Sequence, residues 1–266
     1  MIKRVKHFNL TVFLLKMTMN DIEKIPKLSI VTVTLNAANH IQFLINSLQN
    51  QTCKDFEWII ADGESKDGTL DLLSKAEGLN IAVVSAPDFG IYDAMNKGIK
   101  RARASHYLVI GADDTFEPHT VQSIINDLKN EPELDILIGQ VKANDKLIKI
   151  QKERSYIYGA RAYITSHSVG SVIKKTLHEK FGYYSNKYSI IADSAFIKKI
   201  FNSSELNVKY SDVVYGTFAT GGVSNTAIVQ SHCEFLSLQL ATEKHKFFQI
   251  FLFIARYAKF RLSKNK

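Results

Sequence analysis

The sequence predicts an α/β fold with a mostly parallel central sheet between layers of helices. Two observations predict it: short β-branched runs alternate with segments of helical periodicity, and these runs end in polar loops that carry acidic residues. The first run, 28–35, is apolar with almost no alternation, which is typical of a parallel strand covered on both faces. Runs at 56–61, 81–85 and 107–110 also have the length of buried strands.

Helices are predicted between these strands. Apolar residues recur at helical spacing in 40–50, and the same pattern follows Gly90 and Pro118. A shorter helix is expected over 70–77. A strand, a short loop and a helix form the opening of a βαβ unit, so the first half of the chain predicts a parallel sheet.

The second half predicts shorter elements. They are strands at 134–139, 169–173 and 208–215, a hairpin around Asn144-Asp145, helices at 175–180 and 192–201, and a helical segment at 228–262. Residues 154–165, rich in Tyr and Arg, are expected to form a mobile loop over the site. His178 is expected on a helix surface, and Gly221-Gly222 are expected to be the hinge of a lid.

Positive charge is concentrated at the two ends of the chain. The 266 residues include 34 Lys or Arg and 26 Asp or Glu, a formal net charge of +8. Residues 1–27 hold six basic and two acidic residues, and residues 244–266 hold seven basic residues and no acid. Basic ends favour an anionic membrane surface. Nucleic acid is not an expected partner, because the sequence has no helix-turn-helix, zinc or RNA-binding motif.

The two ends and the two cysteines suggest where the protein works. Residues 1–27 are expected to form a basic leader, disordered or helical, whose apolar part is too short to span a bilayer. Residues 228–266 predict a basic helical tail with many Phe, either an interfacial membrane anchor or a core helix with a frayed basic end. Cys53 and Cys233 have no metal or redox spacing and fit free thiols in a reducing cytoplasm.

Polar side chains follow each of the first four predicted strands. They are Thr34, Asn36, Asp62, Asp88 and the adjacent pair Asp113 and Asp114. Because the carboxyl ends of parallel strands meet at one edge, where open sheets bind ligands, we expect these side chains to lie together. Adjacent carboxylates suit Mg²⁺ or Mn²⁺ bridging to phosphates, although a solvated Asp-Asp turn is an alternative. The motifs of dinucleotide-binding and P-loop sites are absent from the sequence.

Four stretches, in this order, resemble the family 2 glycosyltransferases with the GT-A fold. They are SIVTVTLNA from residue 29, WIIADGESKDGT from residue 58, SAPDFGIYDAMNKGI from residue 85 and YLVIGADD from residue 107. The resemblance is closest to bacterial enzymes that build colanic acid, O-antigen and capsular polysaccharides. It implies a GT-A domain at 28–227, with the nucleotide-sugar side at 28–115 and the acceptor side at 116–227.

The resemblance implies a donor site at the strand ends. The implied residues are Thr34, Asn36 and Asp62 for the nucleobase, and Asp88, Asp93 and Asn96 for the donor sugar. In the family's metal motif, Asp-x-Asp or Asn-x-Asp-Asp, the first position is here Gly111, which cannot bind a metal. By resemblance, Asp114 binds Mg²⁺ or Mn²⁺ directly and Asp113 contacts the ribose or the waters of the metal.

Residues 166–201 resemble the acceptor half of the same family. The matching positions are His167, Phe181-Gly182 and Asp193. The resemblance implies that Asp193 is the catalytic base, although an acid in the first turn of a helix also favours the helix dipole without any catalytic role. His167 is expected to be either a substrate or phosphate contact or a hydrogen-bonded core histidine.

These expectations describe an inverting, metal-dependent glycosyltransferase. It would transfer a sugar from a nucleotide-diphosphate sugar, with UDP expected, to a hydroxyl of a lipid-linked bacterial surface polysaccharide. The expected location is the cytoplasm, peripheral at the inner face of the cell membrane. Two alternatives stay open: a sugar transferase acting on polyprenyl phosphate, and a non-catalytic nucleotide-sugar-binding subunit of a polysaccharide assembly complex.

Overall fold

The computed structural model describes residues 25–150, 154–164, 168–203, 205–219 and 227–264. Three of the sequence predictions fall outside these residues: nearly all of the basic leader, His167, and the hinge at Gly221-Gly222.

Strands and helices alternate through the first half of the chain, as predicted. The strands are β1 (Leu28–Thr34), β2 (Phe56–Asp62), β3 (Ile81–Ser85), β4 (His106–Val109), β5 (Thr115–Phe116), β6 (Ile136–Ala143), β7 (Lys146–Leu147), β8 (Ser171–Lys174) and β9 (Val208–Phe218). The helices are α1 (Ile41–Gln49), α2 (Thr69–Ser74), α3 (Ile91–Arg101), α4 (Thr120–Asn130), α5 (Ser155–Tyr158), α6 (Thr176–Phe181), α7 (Ala192–Ser203), α8 (Ile228–Thr242) and α9 (Lys246–Lys264). Short 3₁₀ turns cover Gly159–Ala162 and Ser168–Gly170.

The strands of the described chain form one sheet, in the order β3-β2-β1-β4-β8-β6-β9-β5, with β7 beside β6. Strands β3, β2, β1 and β4 run parallel, as do β6 and β9, while β8 is antiparallel to both of its neighbours. Thr34 pairs with Asp62, and Asp62 pairs with Ser85, so three parallel strands end at the same level. The predicted α/β architecture is confirmed.

Helices cover both faces of the sheet. Because side chains alternate along a strand, Ile30 packs with the α1 and α4 side of the core, while the next residue, Val31, packs with the α3 and α7 side. Helix α3 approaches β1 closely, since a Cβ at Gly98 would lie 2.5 Å from Cγ1 of Val31. This close packing fixes the position of α3, whose first turn follows the loop that carries Asp88.

The prediction that His178 lies on the surface is wrong. The side chain is 1% exposed and lies between the rings of Tyr183 and Phe196, with ring-centroid distances of 5.0 and 4.3 Å. Its Nε2 accepts from the Tyr107 hydroxyl at 2.5 Å and its Nδ1 donates to the Gly182 carbonyl at 3.1 Å. Burial lowers the pKa of His178 to about 4, so the ring is neutral. Helix α6 is too short for its periodicity to reveal which side is buried.

The predicted mobile loop at 154–165 is also wrong over its described part. Residues 155–162 form α5 and a 3₁₀ turn, and Ala160 and Ala162 are buried. The backbone carbonyls of Tyr156 and Ile157 accept hydrogen bonds from side chains of α8 and α9. This segment therefore supports the C-terminal helices. Among the helices of the described residues, none combines the length and the apolar character that a bilayer crossing requires.

Candidate active site

A buried carboxylate connects the ends of the first three strands. Asp62 is buried at the end of β2, and its Oδ1 accepts hydrogen bonds from the hydroxyls of Thr34 at 2.8 Å and Ser65 at 2.6 Å. Its Oδ2 accepts from the Ser65 backbone N–H at 3.0 Å and the Ser85 hydroxyl at 2.8 Å. These four bonds match the about four lone pairs of a carboxylate, so a base N–H would take the place of one hydroxyl.

These hydrogen bonds also set the charge of the pocket. Burial by itself would raise the pKa of Asp62, but the bonds from Ser65, Thr34 and Ser85 hold it below its ordinary value. Asp62 is therefore an anion at neutral pH. The exposed Asn36 extends the network, because its backbone N–H donates to the Ser65 hydroxyl at 2.9 Å and its Oδ1 accepts from the Lys66 N–H at 2.9 Å.

The three residues predicted to face the donor sugar have different surroundings. Asp88 lies beside the Asp62 pocket, since a Cβ added at Gly63 would be 2.7 Å from its Oδ2. Asp93 accepts from the Phe89 N–H at 3.2 Å and forms an ion pair with Lys97 at 2.9 Å.

Asn96 is buried, and both polar atoms of its amide bind the backbone of Tyr184, at 2.8 and 3.0 Å. It joins α3 to the segment before α7. In this arrangement one donor and one acceptor of its amide hold the backbone of Tyr184.

The adjacent acids after β4 are not equivalent. Asp114 is buried, and its two oxygens accept from the backbone N–H groups of Gly111 at 3.0 Å and Ala219 at 2.9 Å. Burial, followed by the neighbouring charge of Asp113, raises the pKa of Asp114 to about 6. Asp113 is more exposed and makes no hydrogen bond within the described residues. Asp114 thus links the loop after β4 to the residue that follows β9. The Asp113 side chain has no such partner among the described residues.

The chemistry of these acids fits a divalent cation. A Cβ at Gly111 would lie 2.8 Å from both Asp113 Oδ1 and Asp114 Oδ2, so two carboxylate oxygens border one small space that glycine keeps open. Mg²⁺ and Mn²⁺ favour such hard oxygen ligands and complete their shells with water and substrate phosphates. Among the described residues no three His, Cys, Asp or Glu side chains form a metal centre.

Asp193, from the second half of the chain, contacts the helix that follows the Asp88 loop. It is half-buried in the first turn of α7, and its Oδ1 accepts from the Tyr92 hydroxyl at 2.8 Å and the Ser194 N–H at 2.7 Å. Tyr92 lies in the first turn of α3, four residues after Asp88. Burial raises the pKa of Asp193, and the bond from Tyr92 opposes this rise. Its Oδ2 accepts no hydrogen bond from another residue of the described chain.

Sequence reasoning missed three residues of this arrangement: Ser65, Ser85 and Tyr92. The strand register would have indicated Ser85, because β3 ends beside Asp62 when the parallel strands are aligned at their polar ends. Tyr92 has no such signal, since its partner Asp193 is 101 residues away in the chain.

Residues 29–202 match the protein family described as Glycosyl transferase family 2. The chain belongs to this family. It is 29% identical over 215 residues to a PGL/p-HBAD biosynthesis glycosyltransferase of Mycobacterium bovis, a match that covers 76% of this chain and 81% of that protein. The predicted family is therefore confirmed, and this family 2 member is a glycosyltransferase.

Solved structures share the fold of this glycosyltransferase. The structure of S. aureus TarS 1–349 in complex with UDP-GlcNAc matches with a TM-score of 0.65 at 17% identity, covering 85% of this chain and 70% of that one. The mannosyltransferase PcManGT from Pyrobaculum calidifontis, in complex with GDP-Man and Mn²⁺, matches with a TM-score of 0.61 at 16% identity, covering 80% and 63%. At this identity the likeness establishes the fold alone.

Proposed function

We propose that this glycosyltransferase inverts the anomeric centre as it transfers a sugar from a UDP-sugar to a hydroxyl group. The acceptor that we propose is a lipid-linked bacterial surface saccharide, such as an O-antigen or capsule precursor, met at the inner face of the cell membrane. The observation that carries the proposal is the hydrogen bond between Tyr92 and Asp193. It brings an acid of the acceptor half to the helix that follows the donor-side loop.

The donor side of the proposal rests on the strand-end network. Thr34, Asn36 and Asp62 are proposed to hold the nucleobase, with Ser65 and Ser85 orienting the Asp62 carboxylate. Asp88 is proposed to face the sugar, as is Asp93, whereas Asn96 is proposed to position the segment around Tyr184. Structures with this fold contain UDP-GlcNAc or GDP-Man, which supports a nucleotide-sugar donor here.

The transfer itself is a single displacement. The acceptor oxygen forms a bond to the anomeric carbon, and the bond from that carbon to the diphosphate oxygen breaks with its electron pair leaving on the diphosphate. Asp193 Oδ2 takes the proton of the acceptor hydroxyl. Mg²⁺ or Mn²⁺ held by Asp113 and Asp114 would offset the negative charge that develops on the leaving diphosphate. One displacement inverts the anomeric configuration.

The substitution Asp193→Asn tests the proposed base. The amide oxygen still accepts from Tyr92, so the fold and nucleotide binding should persist, while transfer should fall by about 10²–10⁴-fold. The measurements are the rate of nucleotide release with acceptor present, the affinity for UDP, and the anomeric configuration of the product by NMR. Asp212→Asn, which changes an exposed acid of β9, is the matched control.

A normal rate in Asp193→Asn would exclude Asp193 as the base. It would favour transfer to a polyprenyl phosphate, because a phosphate acceptor is already ionised and needs no base. Saturable UDP-sugar binding by the unaltered protein without any product would favour a non-catalytic binding subunit. Retention of the anomeric configuration would contradict the single displacement.

A further inference from the structure

The last helix, α9, turns its apolar side toward solvent. Phe247, Phe251 and Leu262 are 89%, 64% and 69% exposed, and Ile254 is also exposed. These residues follow one another at intervals of four, three and eight positions, so they form one stripe along the helix. An exposed apolar stripe of this length is unusual for a surface that contacts only water.

The opposite side of α9 faces the protein, and there two polar side chains, Gln249 and Arg256, accompany the half-buried Leu252, Phe253 and Phe260. Gln249 is 1% exposed, and its amide donates to the Tyr156 carbonyl at 3.0 Å. The Arg256 guanidinium donates to the Ile157 carbonyl at 2.6 Å and lies 4.9 Å from the centre of the Phe235 ring. Turning the helix to bury its phenylalanines would break these bonds. The outward position of the stripe is therefore fixed by polar contacts.

The charge around the stripe indicates what covers it. Lys246, Lys259 and Arg261 are exposed on α9, and no acidic residue occurs from residue 244 to the end of the chain. Basic residues bordering an apolar stripe are attracted to anionic headgroups while the phenylalanines enter the acyl boundary. A second copy is a poorer match, because pairing two such stripes would bring like charges together.

We propose that the stripe formed by Phe247, Phe251, Ile254 and Leu262 docks α9 parallel to the surface of an anionic bilayer. The polar bonds of Gln249 and Arg256 hold the helix against the catalytic domain in this orientation. The proposed transfer reaction is not needed for this inference, since binding to a bilayer is measured without donor or acceptor. A failed vesicle-binding test would therefore not contradict the proposed transfer reaction, and a failed activity test would not contradict membrane docking.

Co-sedimentation of the full chain with lipid vesicles tests the proposal. We expect binding to vesicles of phosphatidylcholine with phosphatidylglycerol, and much weaker binding to phosphatidylcholine alone. The double variant Phe251→Ser/Ile254→Ser should bind at least about tenfold more weakly, because two apolar side chains no longer enter the lipid. Phe43→Ser removes a phenylalanine that is 63% exposed on α1 and is the matched control, with binding unchanged. Circular dichroism establishes that each variant is folded.

Unchanged vesicle binding by the folded double variant would overturn the proposal, as would an equal loss in Phe43→Ser. The unaltered protein could instead form a dimer that does not bind vesicles, with the double variant a monomer. This result would assign the stripe to contact with a second copy. Lys259→Glu/Arg261→Glu should lose affinity for the anionic vesicles. Unchanged affinity in that variant would overturn the choice of an anionic surface.

Discussion

At the scale of single residues, the proposed transfer depends on the hydrogen bond that Tyr92 donates to Asp193. The Tyr92 hydroxyl has one proton and two acceptors, the Ile190 carbonyl at 2.6 Å and Asp193 Oδ1 at 2.8 Å. It can donate to the carboxylate when Asp193 is ionised and turn to Ile190 when Asp193 has taken a proton. Under the proposed mechanism, Tyr92 is a positioning residue that favours the ionised base.

Tyr92→Phe should move the acid limb of the pH profile of kcat/KM to higher pH. A general base acts in its ionised form, and loss of a hydrogen bond that favours this form raises the pKa of Asp193 further. The KM for the donor should stay near that of the unaltered protein. Tyr184→Phe is the control, because the Tyr184 hydroxyl contacts Tyr107 at 3.2 Å and makes no hydrogen bond to Asp193. An acid limb at the same pH in both variants would contradict this role.

Asp113→Asn should separate metal binding from folding. Because the Asp113 side chain makes no hydrogen bond within the described part of the chain and its charge repels Asp114, its loss should not lower the melting temperature of the ligand-free protein. The additional stabilisation that Mn²⁺ gives in the presence of UDP should be lost, as it is on addition of a chelator. Asp114→Asn should also lower the ligand-free melting temperature, because Asp114 accepts the N–H groups of Gly111 and Ala219. Full Mn²⁺ dependence in Asp113→Asn would exclude Asp113 from the metal site.

At the scale of secondary-structure elements, α8 binds the segment that precedes α7. The Glu234 carboxylate on α8 accepts from the backbone N–H groups of Ser189 at 3.1 Å, Ile190 at 2.9 Å and Ile191 at 3.3 Å, and from the Ser189 hydroxyl at 2.7 Å. Asp193 follows two residues later. The C-terminal helices therefore position the proposed base as well as carrying the apolar stripe.

Glu234→Gln should lower both stability and turnover. Burial would raise the pKa of Glu234, but the bonds from Ser189 and Ile190 hold it below its ordinary value, so the native state favours the carboxylate. Replacing one of the two carboxylate oxygens with an amide NH₂ should lower the unfolding free energy by about 1–2 kcal/mol at neutral pH. This stabilisation is present above the unfolded pKa and disappears as pH falls through the depressed folded pKa, so the two proteins should converge in acid.

Denaturant unfolding at several pH values measures this difference, and kcat is measured alongside. Glu205→Gln, an exposed acid before β9, is the control and should change neither quantity. A stability difference that persists unchanged below the pKa of a free carboxyl group would contradict the role of the Glu234 charge.

At the scale of the whole molecule, the sheet order brings together groups that are distant in sequence. Strands β3, β2, β1 and β4 are neighbours, so the loops that carry Asp88, Asp62 and Asp113 leave the sheet at one edge. The β9 strand returns beside β5, and the next residue, Ala219, donates its N–H to Asp114. Ligand binding at this edge should therefore stabilise both halves of the fold together.

A thermal-shift panel of UDP-, GDP- and dTDP-sugars, each with and without Mn²⁺, tests the donor site in the intact protein. A ligand that binds only the folded state stabilises it by about 2.7 kcal/mol at a hundredfold excess over Kd. We expect the largest rise in melting temperature from a UDP-sugar with Mn²⁺. A larger rise with a GDP-sugar would reassign the base, and no rise with any nucleotide sugar would contradict the donor site. UDP with a free hexose is the control for contacts to the separated parts of the donor.

The sequence by itself determined the order of β1 to α4 and the polar strand ends, because periodicity and strand-end residues are local properties. It also determined the family, since its motifs follow one another in fixed order. Tertiary structure decided the partners of the polar groups: Asn96 binds the backbone of Tyr184, Asp62 accepts from three hydroxyls and an N–H, and His178 accepts from Tyr107. It also decided that α9 presents Phe247 and Phe251 to solvent. These outcomes depend on contacts between residues far apart in the chain, which local patterns do not contain.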